Sequence, residues 1–478
     1  MRTTQFLLAS AALSALAGCS TISGGFYGAP EAPAAGTLAE AAKPALDVTV
    51  HDGEFAEIQQ FVTPGGVSVW LVSEPSIPIV AVQMAWKAGT ASDPAGAEGL
   101  SQLVTYSINE GAGDLDSLGF QTAMEDLNMS FSCGAGAEWT SCSVSSLTEN
   151  ASAAMALVAT AFAAPRFDEG PFERFLREEE VGLQTRETNP NYLAWRATAR
   201  ALYPDHPFAR ETTAESLANL TADMAREHMR TLMTRDRLIV TAVGAVSPEE
   251  LAPLIDEVAA GLPETSAVAP VAPVDLASVP VAQVVVDLPQ PQSLVRFIAP
   301  GIDRASPDFF PAFVLNYTVG GGGFESRLMK TLRVARGLTY GISTSLDPNP
   351  AMLTWSGGGQ TKNESAGEFI TGIKDEMKAF VASGITGAEL ADAKAYLTGS
   401  YPLGFDSNAK IARQMMTVRQ ENLGVDYFDR RNKLIEGVTL EDVNRVARTH
   451  LDPARYSFII VGEPQGVEMP ALSDSPAP

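Results

Sequence analysis

Two stretches of this chain repeat each other without a gap. They run from Thr221 to Gly244 and from Thr439 to Gly462, and each contains 24 residues. Both begin with a Thr that can open a helix and end in an apolar strand that closes on Val-Gly. They lie 218 positions apart, close to half of the 478 residues. This spacing predicts duplication of an αβ domain, and convergence of two ordinary helix-to-strand units is the alternative.

Strand-like and helix-like segments alternate on both sides of one segment that has no hydrophobic periodicity. This segment, residues 263–280, is rich in Pro and Ala, as interdomain linkers often are. We therefore expect an N-terminal αβ domain at 54–262 and a C-terminal αβ domain at 281–465, followed by a tail at 466–478. A chain of 478 residues is long enough for two domains of about 200 residues.

The N-terminus has the pattern of a secretory signal. Residues 1–18 contain one Arg, an apolar run too short to span a bilayer, and small residues before Cys19. The string Leu-Ala-Gly-Cys resembles the lipobox of bacterial lipoproteins, in which the Cys thiol is diacylated. The resemblance implies a lipid anchor on Cys19, a flexible tether at 19–53 and, because Ser follows the Cys, a periplasmic location at the outer membrane. An ordinary signal peptide with an incidental Cys is the alternative.

Charge and cysteine content limit the function further. The chain has 57 acidic and 33 basic residues and a formal net charge of −24, which repels nucleic acid. Two of its three Cys, Cys133 and Cys142, flank the hairpin-like stretch "GAGAEWTS". A cross-strand disulfide in an oxidising compartment is one expectation for this pair, and two half-buried thiols are the other.

Four strings of the sequence resemble one family, in the order in which that family has them. They are "WKAGTASDPAGAEGLSQLV" (86–104), "LYPDHPFAR" (202–210), "NYTVGGGGFESRLMKTLRVARGLTYGI" (316–342) and "LADAKAYLTGSYPLGFDS" (390–407). The chain is similar to the insulinase/pitrilysin family of zinc metallopeptidases, which includes mitochondrial processing peptidase. The resemblance implies an α+β fold in which two homologous αβ domains, each an antiparallel sheet flanked by helices, form half of a clamshell.

The metal-binding motif of that family is missing. Catalytic members carry His-x-x-Glu-His on a helix, where two imidazoles bind zinc and the Glu activates water. Matched residue by residue, these positions hold Gln102, Thr105 and Tyr106, and the third zinc ligand of the family, a Glu, falls on Thr185. An amide, two alcohols and a phenol cannot replace two imidazoles and a carboxylate. We therefore expect this chain to bind no zinc or other cofactor, and we interpret the four residues as a degenerate metal site rather than a new active site.

The second half keeps residues that the resemblance assigns to substrate binding. Arg333 and Tyr340 match a pair that family members place opposite the zinc, where guanidinium and phenol donate hydrogen bonds to the substrate peptide. The glycine-rich loop that the non-catalytic subunit of mitochondrial processing peptidase uses in substrate handling matches Gly320, Gly321, Gly322 and Gly323. An ion-paired Arg, a Tyr at the start of a strand and a plain helix-to-helix turn are the alternatives.

These residues predict a non-catalytic, substrate-binding subunit of a heterodimeric zinc metallopeptidase. The expected partner is a homologue that carries His-x-x-Glu-His and holds the zinc, and the expected ligand is a short or unfolded peptide bound as an added β-strand. A structural scaffold with no peptidase role is the alternative, by resemblance to the core proteins of respiratory complexes. An independent hydrolase is disfavoured because the sequence has no Gly-x-Ser-x-Gly and no catalytic Cys context.

Overall fold

The computed structural model describes residues 46–265 and 268–467. The predicted signal peptide, Cys19 and most of the predicted tether lie outside these residues. Within them, no helix is both long enough and apolar enough to cross a membrane. Two β-sheets, each with helices packed against it, make up the described part of the chain.

Seven strands of the first half form one sheet. They are β1 (Thr49–Asp52), β2 (Glu57–Val62), β3 (Ser68–Ser73), β4 (Ile79–Trp86), β5 (Ser130–Ala135), β6 (Thr140–Leu147) and β7 (Leu238–Gly244). Their order across the sheet is β1-β2-β3-β7-β4-β6-β5. The pair β3 and β7 is parallel, and every other neighbouring pair is antiparallel.

Five strands of the second half form the other sheet. They are β8 (Gln283–Asp287), β9 (Gln292–Pro300), β10 (Ile342–Asp347), β11 (Thr354–Lys362) and β12 (Ser457–Gly462). Read from β8, the order β8-β12-β9-β11-β10 reproduces β3-β7-β4-β6-β5, with β8 and β12 again the one parallel pair. This equivalence confirms the predicted fold of two similar αβ units, and it corrects one detail, because each sheet is mixed rather than wholly antiparallel.

Helices cover both sheets. Those of the first half are α1 (Leu100–Ser107), α2 (Ser117–Asp126), α3 (Ala151–Ala163), α4 (Glu169–Arg186), α5 (Pro190–Leu202), α6 (Ala214–Asn219), α7 (Ala222–Leu232) and α8 (Pro248–Ala260). Those of the second half are α9 (Phe309–Asn316), α10 (Ala366–Ser383), α11 (Gly387–Gly399), α12 (Asn408–Gln420), α13 (Tyr427–Glu436) and α14 (Leu440–His450). Alternate residues of β4, and likewise of β9, point to the same side of their sheet. Their apolar side chains form a core with the helices of their own half.

Two equivalent helices are exchanged between the halves. Helix α5 belongs to the first half but packs on β8, β9 and β12 through Leu193 and Ala194. Helix α12 belongs to the second half but packs on β4 and β7 through Ala412 and Met415. Both helices have 13 residues, and α12 begins 218 positions after α5, as the repeat requires. Each sheet is therefore covered on its second face by a helix from the other half.

A buried arginine fixes the exchanged helix α12. The Nη1 group of Arg419 donates to the carbonyl oxygens of Ser68 at 3.0 Å and Val240 at 2.6 Å, and Nη2 donates to Oγ of Ser68 at 2.8 Å. The guanidinium also lies 5.3 Å from the ring centroid of Trp70. Burial without a carboxylate partner lowers the pKa of Arg419 to about 10. These contacts tie α12 to the parallel strand pair of the first sheet.

The structure bears on three predictions from the sequence: the tether, the pair of cysteines and the linker. Strand β1 lies inside the predicted tether and pairs with β2, so the first sheet begins earlier than expected. Cys133 and Cys142 face each other across β5 and β6 and are joined by a disulfide. The described residues of the linker 263–280 contain no helix or strand, yet Leu276 is buried. This segment therefore packs on the protein instead of hanging free.

Candidate functional site

Helix α1 is held by an acidic cap at the start of the degenerate site. The carboxylate of Asp93 accepts hydrogen bonds from the backbone N–H groups of Gly99 at 3.1 Å and Ser101 at 3.0 Å. Gly99 has φ of 105°, a left-handed conformation that favours glycine. The cap satisfies N–H groups that the first turn of a helix leaves without partners. The position of the former metal helix is therefore well defined.

The two threonines of the degenerate site bond only to their own helices. The hydroxyl of Thr105, which is buried, donates to the carbonyl oxygens of Ser101 and Gln102, both at 3.1 Å. The hydroxyl of Thr185 on α4 is exposed and donates to the carbonyl oxygen of Val181 at 3.1 Å. Such back-bonding is what Thr does inside a helix when no ligand needs it.

The tyrosine of the degenerate site is part of a packing network. The phenol oxygen of Tyr106 accepts a hydrogen bond from Nε of Arg174 on α4 at 2.7 Å. Arg174 also forms an ion pair with Glu110, and the Tyr106 ring lies 5.4 Å from the ring of Phe175. These partners raise the pKa of Arg174, with the Tyr106 hydrogen bond the largest cause. Tyr106 thus joins α1 to α4 as a structural residue.

The described chain offers no substitute metal site. In residues 46–265 and 268–467, no three His, Cys, Asp or Glu side chains converge in a way that could hold an ion. The histidines have other roles; His51, for example, contacts Asp429 at 2.7 Å. The amide, hydroxyls and phenol at the zinc positions do not fit zinc, which binds imidazole, thiolate and carboxylate.

Sequence reasoning did not find a buried Ser-His-Asp cluster beneath α1. The Oγ of Ser101 and the Oδ1 of Asp93 both lie 3.0 Å from Nε2 of His228 on α7. A catalytic triad needs the carboxylate on the other imidazole nitrogen, so that Nε2 is left for the nucleophile. All three side chains are at most 6% exposed. The cluster is therefore a structural cap, and no sequence signal links residues 127 positions apart.

The glycine run of the second half makes a tight turn after α9. Residues Tyr317–Gly321 form π-helical turns, and Gly323 has φ of 56°. A Cβ atom on Gly320 would lie 2.8 Å from the backbone N of Thr344, and one on Gly322 would lie 2.8 Å from the carbonyl oxygen of Tyr317. Backbone geometry alone therefore requires glycine at several of these positions. The helix-to-helix turn proposed as the alternative accounts for the glycines without a ligand.

Arg333 and Tyr340 lie near this turn and keep their polar groups available. Arg333 belongs to a second π-helical segment, Met329–Ala335. Its guanidinium lies 4.3 Å from the ring centroid of Phe324, directly after the glycine run. Tyr340 is 83% exposed just before β10. Neither side chain has a hydrogen bond or ion pair within the described ranges 46–265 and 268–467.

A cleft of about 520 Å³ opens beside Gln102, between the halves. Residues of α1, α4 and α5 line it, together with Asn349 and Met352 of the second half. The Oε1 atom of Gln102 is buried there with no hydrogen-bond partner among the described residues. On α5, burial and the hydrogen bond to Glu211 raise the pKa of Tyr192 to about 12. Arg333 and Tyr340 do not line this cleft, so a single chain does not bring the pair to the former metal site.

Comparisons with known proteins agree with this geometry. The family model for insulinase, peptidase family M16, matches residues 68–215, and the model for the peptidase M16 inactive domain matches residues 219–397. A crystal structure of a peptidase M16 inactive domain from Pseudomonas fluorescens superposes with a TM-score of 0.79 and 26% identity, covering 86% of this chain and 99% of that one.

Two curated relatives are similar along much of their length. A non-peptidase homolog from Helicobacter pylori is 24% identical over 391 residues, which is 80% of this chain and 89% of the relative. An uncharacterized zinc protease from Mycobacterium tuberculosis is 30% identical over 305 residues, 62% of this chain and 67% of the relative. The chain therefore belongs to the insulinase family, peptidase family M16, as an inactive member whose zinc positions hold no metal ligand.

Proposed function

We propose that this protein is the non-catalytic, substrate-binding subunit of a heterodimeric zinc metallopeptidase. A homologous partner with His-x-x-Glu-His supplies the metal and the general base, and this chain holds the peptide. One contrast supports the proposal. Three of the four residues at the zinc positions form hydrogen bonds within this chain, whereas Arg333 and Tyr340 keep donors that no described residue uses.

The chemistry of these donors suits a peptide main chain. A guanidinium and a phenol can both donate to a backbone carbonyl oxygen and stabilise negative charge that develops on it. Because Arg333 and Tyr340 lie away from this chain's own cleft, we infer that they act on a peptide at the partner's zinc. Within the glycine run beside Arg333, Gly323 alone has open space where a Cβ atom would lie, so a peptide could approach the backbone there.

Reconstitution tests the proposal. The purified full chain and a co-encoded relative with His-x-x-Glu-His are assayed alone and mixed, for zinc content and for cleavage of unfolded peptides. We expect no zinc and no cleavage from this chain alone, and cleavage from the mixture. Stoichiometric zinc or cleavage in the isolated chain overturns the proposal. A stable complex whose activity does not depend on this chain favours the scaffold instead.

We also propose that the chain is lipid-anchored through Cys19 in the periplasm, at the outer membrane. The Cys133–Cys142 disulfide supports an oxidising compartment. A Cys19→Ser variant is expected to move from the membrane fraction to the soluble fraction and to lose labelling by a palmitate analogue. Unchanged fractionation and labelling of this variant contradict the anchor.

A further inference from the structure

A groove of about 410 Å³ lies between helix α5 and the outer face of the second sheet. Its floor consists of residues of β9, β10 and β11, and Asn191 and Trp195 of α5 line its wall. It shares Trp195, Tyr203 and Met352 with the cleft beside Gln102. The groove and the cleft therefore adjoin each other along α5, between the halves of the chain, and we refer to the two together as the path along α5.

Arg296 places a positive charge in this groove. It lies on β9 directly opposite Gly358 of β11, so the two residues share a face of the sheet. A Cβ atom on Gly358 would lie 2.5 Å from the carbonyl oxygen of Val295 and 3.4 Å from Cγ of Arg296. Glycine at this position lets the arginine stem lie across the floor. The Nη2 group of Arg296 then donates to Oδ1 of Asn191 at 3.0 Å, which orients the guanidinium.

The charge of Arg296 is not neutralised by the protein. No carboxylate in the described ranges lies within ion-pairing distance of it, and no acidic side chain lines the groove. Arg186, beside the neighbouring cleft, contacts Glu179 at 2.8 Å, and Arg196 contacts Glu187 at 2.7 Å. The groove thus differs from the neighbouring cleft, which Glu98 and Glu211 line, in having a cation and no acidic side chain.

Hydroxyl groups surround the guanidinium. Ser343 of β10 lies opposite Gly358, and Ser345 lies opposite Ser356 of β11, so all three hydroxyls belong to the groove floor. A guanidinium with one amide partner keeps N–H groups for a planar carboxylate, which it binds in a bidentate manner, and hydroxyls can donate to the same oxygens. The indole of Trp195 offers an apolar wall for a neighbouring side chain.

We propose that this groove binds a carboxylate of the peptide, either its free C-terminus or an acidic side chain, on Arg296. The proposal rests on the proposed function, because it assumes that the chain binds peptides. The path along α5 then accommodates the residues next to that carboxylate, extending toward Gln102. Arg296 is thereby a specificity-determining residue on the second sheet, distinct from Arg333.

Binding of three fluorescent peptides to the full chain tests this site. One unfolded peptide lacks Asp and Glu and has a free C-terminus, the second is its C-terminal amide, and the third is the amide with one internal Glu. We expect Arg296→Gln to weaken binding of a carboxylate-bearing peptide roughly tenfold and to leave the plain amide unchanged. Arg430→Gln is the matched control, since Arg430 is a half-exposed arginine on α13 outside both cavities.

The pattern of losses identifies the source of the carboxylate. If Arg296→Gln weakens binding only of the peptide with a free C-terminus, Arg296 binds the C-terminal carboxylate. If it weakens binding of the amide that contains Glu, Arg296 binds an acidic side chain. Equal binding of all three peptides by the wild type and by Arg296→Gln overturns the carboxylate site but leaves the peptide-binding role intact. If the wild type binds none of the peptides, alone or with its catalytic partner, both proposals are wrong. Thermal unfolding of each variant shows whether it is folded.

Discussion

The two halves of this chain have the same strand order but have kept different parts of the family's chemistry. In the first half, Thr105 and Tyr106 bond to neighbouring helix groups, and no three metal-binding side chains converge among the residues described there. In the second half, Arg333 contacts only an aromatic face and Tyr340 is exposed. Three of the four zinc positions are held by hydrogen bonds within the chain, whereas the polar groups of Arg333 and Tyr340 have no hydrogen-bond partner among the described residues.

The largest expected effect is on peptide cleavage, from a substitution in the second half of the chain. In the reconstituted mixture, Arg333→Ala should lower kcat/KM about 100-fold or more, because it removes a donor to the reacting carbonyl. Arg336→Ala is the matched control, since Arg336 is nearby and paired with Glu368 at 2.7 Å. The control should change the rate by less than about threefold, in line with a surface ion pair. Equal losses in both variants contradict a special role for Arg333.

The edge hairpins of the two sheets should differ in stability. The disulfide between Cys133 and Cys142 closes a loop between β5 and β6 with a sequence separation of nine, and the equivalent hairpin β10–β11 has no Cys. Replacing both Cys by Ser should lower the free energy of unfolding by about 2–3 kcal/mol. Urea unfolding measures this, and wild type in reductant should match the variant. An unchanged midpoint shows that the crosslink does not stabilise the fold.

The segment that carries Arg333 should lose stability in acid. Arg327 donates a hydrogen bond to each carboxylate oxygen of Glu389, both at 2.6 Å. These bonds, together with hydrogen bonds from Thr386, lower the pKa of Glu389 from 4.5 to about 2. Its stabilising effect is therefore complete above pH 4.5 and is lost as the pH falls toward 2. Glu389→Gln should cost about 1–2 kcal/mol at pH 7 and flatten the stability profile in that window.

A control separates this effect from general acid unfolding. Glu364 is exposed and lies 4.0 Å from Lys362, so Glu364→Gln should change stability by less than about 0.5 kcal/mol. If both variants keep the same acid dependence as the wild type, the Arg327–Glu389 pair does not hold the segment.

The smallest effect comes from the same substitution made in both regions. Tyr106→Phe removes the acceptor for Arg174 and should lower the free energy of unfolding by about 1 kcal/mol. Tyr340→Phe should leave it within about 0.5 kcal/mol, because the phenol is exposed and has no described partner. In the mixture, only Tyr340→Phe should slow peptide cleavage. If Tyr340→Phe lowered stability and Tyr106→Phe slowed cleavage instead, the assignment of a structural role to Tyr106 and a binding role to Tyr340 would be wrong.

Much of the fold could be predicted from the repeat. The aligned Thr221 and Thr439 both cap helices, and the strands that follow occupy equivalent places, β7 and β12, in their sheets. The exchange of α5 and α12 could not be predicted, because helical periodicity shows that a face is buried but not against which sheet. Strand β1 was assigned to the tether because a four-residue, mostly exposed strand has no hydrophobic pattern.

The site was predictable in its chemistry but not in its contacts. The residue types at positions 102, 105, 106 and 185 exclude zinc without any coordinates. The structure adds what replaced the metal: a phenol bonded to Arg174 and a Thr bonded to its own helix. The π-helical turns around Arg333 could not be predicted, because apolar spacing indicates a helix without showing whether its hydrogen bonds join residues four or five apart.

The exchanged helices join the two halves of the described chain into one packed unit. Because α5 and α12 each lie on the opposite sheet, swinging the sheets apart would strip both helices from buried surfaces and pull the Arg419 guanidinium from its carbonyl partners. Proteolytic nicking of the linker should leave two fragments that copurify as one particle. In the proposed heterodimer, the peptide would therefore enter at the interface between the two subunits and not at a hinge within this one.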